Sequence, residues 1–182
     1  ELESTLRGGE RDDPTRLALR TIQRNGEHLL SLINGILDLS KIEAGKLEVS
    51  RTRFSPLELA VDVARLFGPK AREKKLRLEA RCDGPVPETI QSDAVLLRQI
   101  LINLVGNAVK FTGEGAVTLL VRLAAIGAES GHLLEIAVED TGVGLDPEQQ
   151  RIVFEPFTQV QGSSTREFSG TGLGLSLARR IA

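Results

Sequence analysis

The sequence predicts an α+β protein in which a long amphipathic helix leads into a mixed domain of short strands and helices. Three observations carry that expectation. Of 182 residues, 41% are hydrophobic and 26% charged, the balance of a chain that buries a core. From Leu19 the series Leu19, Ile22, Gly26, Leu29, Ile33, Ile36, Ser40 alternates steps of three and four, a helical period. Past Lys46 that period gives way to short β-type runs alternating with helical ones. The length suits one ordinary domain with an added helical arm.

Ahead of the arm, Gly8-Gly9 and the run Glu10 to Asp13 read as a loop. Asp13-Pro14 then reads as an N-cap and a first-turn proline. Within the arm, Leu30, Leu32, Leu37 and Leu39 widen the apolar stripe beyond a two-helix seam. A helix apolar over so broad a face needs several neighbours. The chain offers no other long helix for it, so the expectation is a bundle completed by a second copy or by further sequence. The alternative is a helix lying on its own domain. Beyond Lys46 the patterning predicts a strand over Leu47–Phe54, a helix from Ser55-Pro56 to Phe67, a strand over Leu76–Cys82 and a Pro-rich loop over Asp83–Gln91. A helix follows over Asp93–Phe111, then strands at Ala116–Ala125 and Leu133–Glu139 joined as a hairpin through Gly127–Gly131. A short helix at Pro147–Phe154 and a final one opening near Gly172 complete the series; no internal repeat is present.

Composition excludes several classes of function. A balance of 23 Lys+Arg against 25 Asp+Glu, net −2, argues against a chain built to wrap nucleic-acid phosphates. With no Trp or Tyr and 3% aromatics, stacking platforms for single strands are missing. Cys82 is the only cysteine, and His28 and His132 the only histidines, so neither a disulfide nor a Cys/His zinc set is expected. These features fit reducing, cytoplasmic surroundings. No apolar run approaches the ~18–20 residues of a membrane helix, and the first residues lack the layout of a signal peptide. The absence of Met reads as the mark of a fragment.

Three segments could carry chemistry. On the Asp93–Phe111 helix, Leu97, Ile100, Leu101, Leu104, Val105 and Ala108 share one face, while Gln99, Asn103, Asn107 and Lys110 share the opposite one. An asparagine offers a carbonyl oxygen to a hard cation and an NH₂ to a phosphate oxygen, and a lysine one turn on can meet phosphate charge. The same stripe is also what a solvated helix face looks like. In Glu139-Asp140-Thr141-Gly142-Val143-Gly144, a carboxylate at a strand end can accept a hydrogen bond from an exocyclic amine while the glycines let backbone approach a flat ring; a plain Asp-Gly turn reads identically. Ser169-Gly170-Thr171-Gly172-Leu173-Gly174-Leu175 opens the last helix, where glycines and unpaired N–H groups make an anion cradle. It is not a Walker A loop, since no Gly-Lys-Ser/Thr follows, nor a Rossmann fingerprint, since the polar run Ser163–Ser169 stands where a strand should precede it.

Taken in order, Asn103-x-x-x-Asn107-x-x-Lys110, Asp140-x-Gly142-x-Gly144, Phe154-Glu155-Pro156-Phe157 and Gly170-x-Gly172-x-Gly174 resemble the nucleotide-binding boxes of sensor histidine kinases. Leu37 to Lys46 is similar to the junction between dimerisation helices and catalytic domain in hybrid-type members. The resemblance implies a Bergerat-type α/β sandwich that binds ATP between its helices and a flexible lid, within the superfamily shared by gyrase, Hsp90 and MutL. It divides the chain into residues 1–46, a partial dimerisation region, and residues 47–182, a catalytic ATP-binding domain. It further implies that Asn107 holds Mg²⁺ with Asn103 and Lys110 near the phosphates, that Asp140 reads the adenine amine and that Gly142 and Gly144 line the base. Gly170, Thr171, Gly172, Leu173 and Gly174 would wrap the phosphates, and Phe154 and Phe157 would anchor a lid over roughly Phe154–Ser169. Related hydrolases carry a glutamate where Asn103 stands; an amide cannot take a proton from water, which favours phosphoryl transfer.

Two departures qualify the resemblance. His28 lies in Gly26-Glu27-His28-Leu29-Leu30 rather than in the family's acceptor block of His, an acidic residue and a later Pro-Leu. His28 and His132 are therefore expected to be structural and the acceptor histidine to lie on a helix outside the chain, whose tail would be at most Glu1–Leu6. The final strands of the family's sheet are likewise expected outside it. The implied activity is ATP-dependent transfer to a histidine, with a second copy and a response-regulator receiver domain as partners and without self-labelling by this chain. The alternatives are an ATP-binding or dimerisation module without transfer, and an anti-sigma-type serine kinase.

Overall fold

The computed structural model describes residues 14–125, 132–158 and 172–181. Helix α1 spans Pro14–Glu43. It stops in a paired turn in which Lys46 N–H donates to Lys41 O and Gly45 N–H to Ile42 O, with Gly45 at φ +64°. The apolar stripe foreseen for this arm is exposed at Leu19, Ile22, Leu29, Ile33 and Ile36. One contact was not foreseen: Gly35 lies so close to Leu173 that a Cβ on it would stand 3.1 Å from Leu173 Cδ1. The arm thus meets the start of a short helix of its own chain there, although the expectation concerned only a second long helix. The missing side chain at Gly35 is what permits that approach.

The central sheet has the order β2-β4-β5, from β2 (Arg77–Asp83), β4 (Ala116–Ala125) and β5 (His132–Asp140). β2 runs parallel to β4, and β5 antiparallel to it. Register places Ala80, Leu119 and Val138 in one row and Cys82, Val121 and Ile136 in the next. These rows point inward, where Leu59, Ala60, Val63, Leu101, Val105 and Val109 from two helices complete the core. The strands at 116–125 and 133–139 were legible because each is long and apolar; the predicted hairpin connection lies outside the described residues.

Helix α2 (Pro56–Glu73) is capped by Ser55, whose hydroxyl accepts from Glu58 N–H. It continues past Phe67, the predicted end, through Gly68-Pro69 to Glu73. A residue before proline is kept from helical geometry partly by its Cβ, which Gly68 lacks, and continuation buries Ala71 in the core. The helix closes at Lys75, φ +58°, with Lys75 N–H on Arg72 O and Leu76 N–H on Ala71 O. Two further corrections concern short strands. β1 is only Thr52–Phe54, because its partner β3 (Ile90–Ser92) supplies three residues and Ser50 N–H turns instead to the Asp93 carboxylate at 2.7 Å. β3 itself falls in the expected Pro-rich loop, being too short to show a period.

Helix α3 (Ala94–Phe111) begins at Asp93, whose Oδ1 accepts from Val95 N–H at 2.9 Å and Leu96 N–H at 3.0 Å. By length and composition it is apolar enough to cross a membrane, contrary to the expectation that no run comes close. Its apolarity serves the core: Leu101, Val105, Ala108 and Val109 are buried against sheet and α2. Helix α4 (Pro147–Ile152) ends two residues before the predicted Phe154, and α5 (Gly174–Ile181) carries the chain back across α3.

Candidate functional site

The C-terminal half of α3 gathers the predicted residues. Asn103 and Asn107 lie one turn apart, both half-buried. Asn103 Nδ2 donates to Gly174 O at 3.3 Å, tying α3 to the start of α5. A Cβ at Gly174 would stand 3.2 Å from Asn103 Oδ1, so a larger residue there would press on that amide. Asn107 makes no side-chain hydrogen bond to another described residue, so its carbonyl oxygen remains available. Lys110 Nζ lies 4.8 Å from the Phe111 ring centroid. Burial, and then the neighbouring charge of Lys70, hold the Lys110 ammonium below the ordinary lysine value.

At the end of β5, Asp140 is exposed and its Oδ1 accepts from Gly142 N–H at 2.8 Å. The turn lies directly on the end of α3: a Cβ at Gly142 would sit 2.7 Å from Asp140 Oδ1 and 2.9 Å from Phe111 O. Glycine there is a packing requirement, whereas at Gly144, φ +67° with open space around it, the requirement is conformational. Thr112, buried, brings its hydroxyl within 3.5 Å of Asp140 Oδ1. Thr141 Oγ1 donates to Glu114 O at 3.0 Å and accepts from Ala116 N–H at 3.1 Å, fixing the carboxylate's own neighbour.

The third part of the site is the crossing of Phe157 and Gly172. Phe157 N–H donates to Gly172 O at 3.0 Å, and a Cβ at Gly172, φ +69°, would meet Phe157 backbone carbon at 2.7 Å. Phe154 is held under Arg179 of α5, with Arg179 Cζ 5.6 Å from the ring centroid. Leu173 is buried beside α1. Gly170, Thr171 and the lid segment from Gln159 lie outside the described residues.

Polar stripe, strand-end carboxylate and the Phe157–Gly172 crossing therefore border one surface, built on the C-terminal half of α3. Sequence reading missed Thr112, Thr141 and Asp93. Asp93 could have been found as a residue preceding an apolar period; the other two carry no sequence signal beyond position. No group of three or more His, Cys, Asp or Glu suited to a metal occurs among the described residues. A magnesium here would take one side-chain oxygen and otherwise water and phosphate, a mode that ion favours, and Asn107 provides such an oxygen. Two surface clefts lie away from this surface. One, of about 550 Å³, is lined by Pro85, Val86, Pro87, Ile90, Leu123 and Leu134; the other, about 350 Å³, lies between α2 and β2.

Residues 92–182, half of the chain, match the family model of histidine kinase-, DNA gyrase B- and HSP90-like ATPases. The chain belongs to this ATPase family. Its relatives place it with the sensor histidine kinases of that family. It is 40% identical over 170 residues to the sensory/regulatory protein RpfC of Xanthomonas campestris pv. campestris, an overlap covering 93% of this chain and 23% of that protein. It is 41% identical over 163 residues to the sensor protein GacS of Pseudomonas syringae pv. syringae, 90% of this chain and 18% of the relative. The chain thus spans about a quarter or less of these two curated relatives. Among solved structures, full-length ShkA in complex with AMPPNP superposes with a TM-score of 0.75 at 34% identity, over 95% of this chain and 34% of ShkA. The catalytic domain of histidine kinase ThkA matches at a TM-score of 0.57 and 27% identity, over 72% of this chain and 78% of that domain. The α+β fold of the histidine kinase ATPase domain, preceded by a helix, is therefore the fold of this chain.

Proposed function

We propose that residues 47–182 bind Mg–ATP and transfer its γ-phosphoryl group to a histidine, and that residues 1–46 form part of the dimerisation region of a two-component sensor kinase. The observation that carries this reading is the convergence on the end of α3 of Asn107, Lys110 and the Asp140–Gly142 turn. Asp140 accepts from the adenine 6-amine while Gly142 and Gly144 leave room for the ring. Lys110 meets phosphate charge, and Asn103, tied to Gly174, holds the phosphate-wrapping loop to α3. Asn107 holds magnesium, which neutralises charge on the transferring phosphoryl group.

Transfer breaks the bond between the γ-phosphorus and its bridging oxygen and forms a phosphorus–nitrogen bond on the acceptor imidazole, with ADP leaving. Asn103 cannot act as a base for water, so hydrolysis has no dedicated catalyst here. The acceptor is a histidine other than His28, whose sequence setting lacks the acceptor block, and a response-regulator receiver domain takes the phosphoryl group onward. The complex of ShkA with AMPPNP supports the nucleotide part of the reading.

The test is ATP titration of the full chain with and without magnesium, comparing wild type with Asp140→Asn. The substitution removes a charged acceptor facing the base, and about tenfold or more weaker binding is expected. Unchanged binding would sink the adenine-site assignment. Adding the acceptor bundle of a close relative with labelled ATP then separates a kinase, which labels the bundle, from a module that only binds.

A further inference from the structure

The end of α3 is held by a side chain that belongs to no part of the site described above. Lys74, which ends α2, lies 35–38 positions from its partners. Its Nζ donates to Val109 O at 2.8 Å, Lys110 O at 2.8 Å and Thr112 O at 3.1 Å. A helix leaves its last carbonyls without intrahelical partners, and a cation is the favoured group to satisfy them. An ammonium has three donors, and here one is available for each of these three carbonyls.

What those carbonyls belong to gives the contact its meaning. They bracket Phe111, whose own carbonyl is the floor beneath Gly142, and they include Thr112, whose hydroxyl stands beside Asp140 Oδ1. Lys110, the phosphate-side cation, sits in the same turn. The Asp140–Gly142 turn therefore rests on backbone that Lys74 fixes. Without the ammonium, three carbonyls lose a charge-assisted partner at a partly buried position, and the last turn of α3 is free to fray.

We propose that Lys74 is a positioning residue of the nucleotide site: by clamping the C-terminus of α3 it sets the place of the adenine-reading carboxylate. This rests on the nucleotide-site reading above. The test compares ATP and GTP binding by the full chain as wild type, Lys74→Met, Asp140→Asn and Val63→Ala, each well below its unfolding temperature. Lys74→Met keeps most of the length of the side chain and removes its donors. It is expected to weaken ATP binding about tenfold and to lose most of the preference for ATP over GTP, which lacks the 6-amine. Val63→Ala, a truncation of a fully buried side chain about three turns before Lys74 in α2, lowers stability and leaves affinity and preference as in wild type. Wild-type affinity and preference in Lys74→Met, or losses matched by Val63→Ala, would overturn the proposal while leaving the site reading intact, provided Asp140→Asn has lost binding. Absence of ATP binding in wild type would overturn both. Should Lys74→Met fail to fold, Lys74→Gln, whose shorter and neutral side chain cannot supply the three charge-assisted bonds, is read by the same criteria.

Discussion

At the scale of single residues, the site divides into groups aimed outward and groups that hold them. Asp140 and Asn107 face outward; Thr112, Thr141 and Lys74 hold. The outward groups were legible as motifs, because chemistry dictates residue type at short spacing. The holding groups were not, because Lys74 and its carbonyl partners meet only through the packing of α2 on α3. Lys110 belongs to both kinds, and its charge gives a pH prediction. Burial and Lys70 lower its folded value, so between that value and the ordinary lysine value the unfolded chain holds more protons, and stability rises with pH across this alkaline window. Bound phosphate favours the charged form and raises the value again. ATP affinity is therefore expected to be full below the lowered value and to fall as pH climbs through the window, with proton uptake on binding in calorimetry. Lys110→Gln should remove the slope. A flat alkaline profile in wild type would show that Lys110 does not meet the phosphates.

At the scale of elements, what was legible is what is long and periodic. Strands β4 and β5 and helix α3 followed from apolar runs. β1 and β3 did not, since three residues show no period and their pairing is fixed from outside, by Asp93 reaching back to Ser50 N–H. Helix α2 outran its prediction because Gly68 spares it the clash that usually precedes proline. The turn that ends α2 yields a stability prediction. Lys75 is exposed and left-handed, φ +58°, at the position where helices favour glycine. Relief of that conformation in Lys75→Gly should raise stability by ~1 kcal/mol, a rise of about 2–4 °C in Tm for a chain of this size. Urea denaturation measures it; a destabilised variant would mean that the Lys75 side chain, not its backbone, matters.

At the scale of the molecule, the unresolved balance is on α1. The domain satisfies its own core, yet the arm leaves Leu19, Ile22, Leu29, Leu30, Ile33, Ile36 and Leu37 each 45–67% exposed. Its contact with α5 at Gly35 covers only a short stretch of a 30-residue helix. Burial of such a stripe is worth roughly 25 cal/mol per Å², and contiguous apolar surface of this extent marks an interaction face. A second copy would supply the same stripe in return, and a two-fold bundle would let each arm cover the other. The expected outcome is concentration-dependent association of the full chain in sedimentation equilibrium, with a dimer as the limiting species. Ile33→Glu, mid-stripe, would place a charge against the partner's apolar face and should yield a monomer whose ATP affinity is unchanged, since the proposed nucleotide surface is built on α3 rather than on the arm. A wild-type chain that stays monomeric at every attainable concentration would assign the stripe to a different helix. An Ile33→Glu variant that still dimerises would move the interface off α1 altogether.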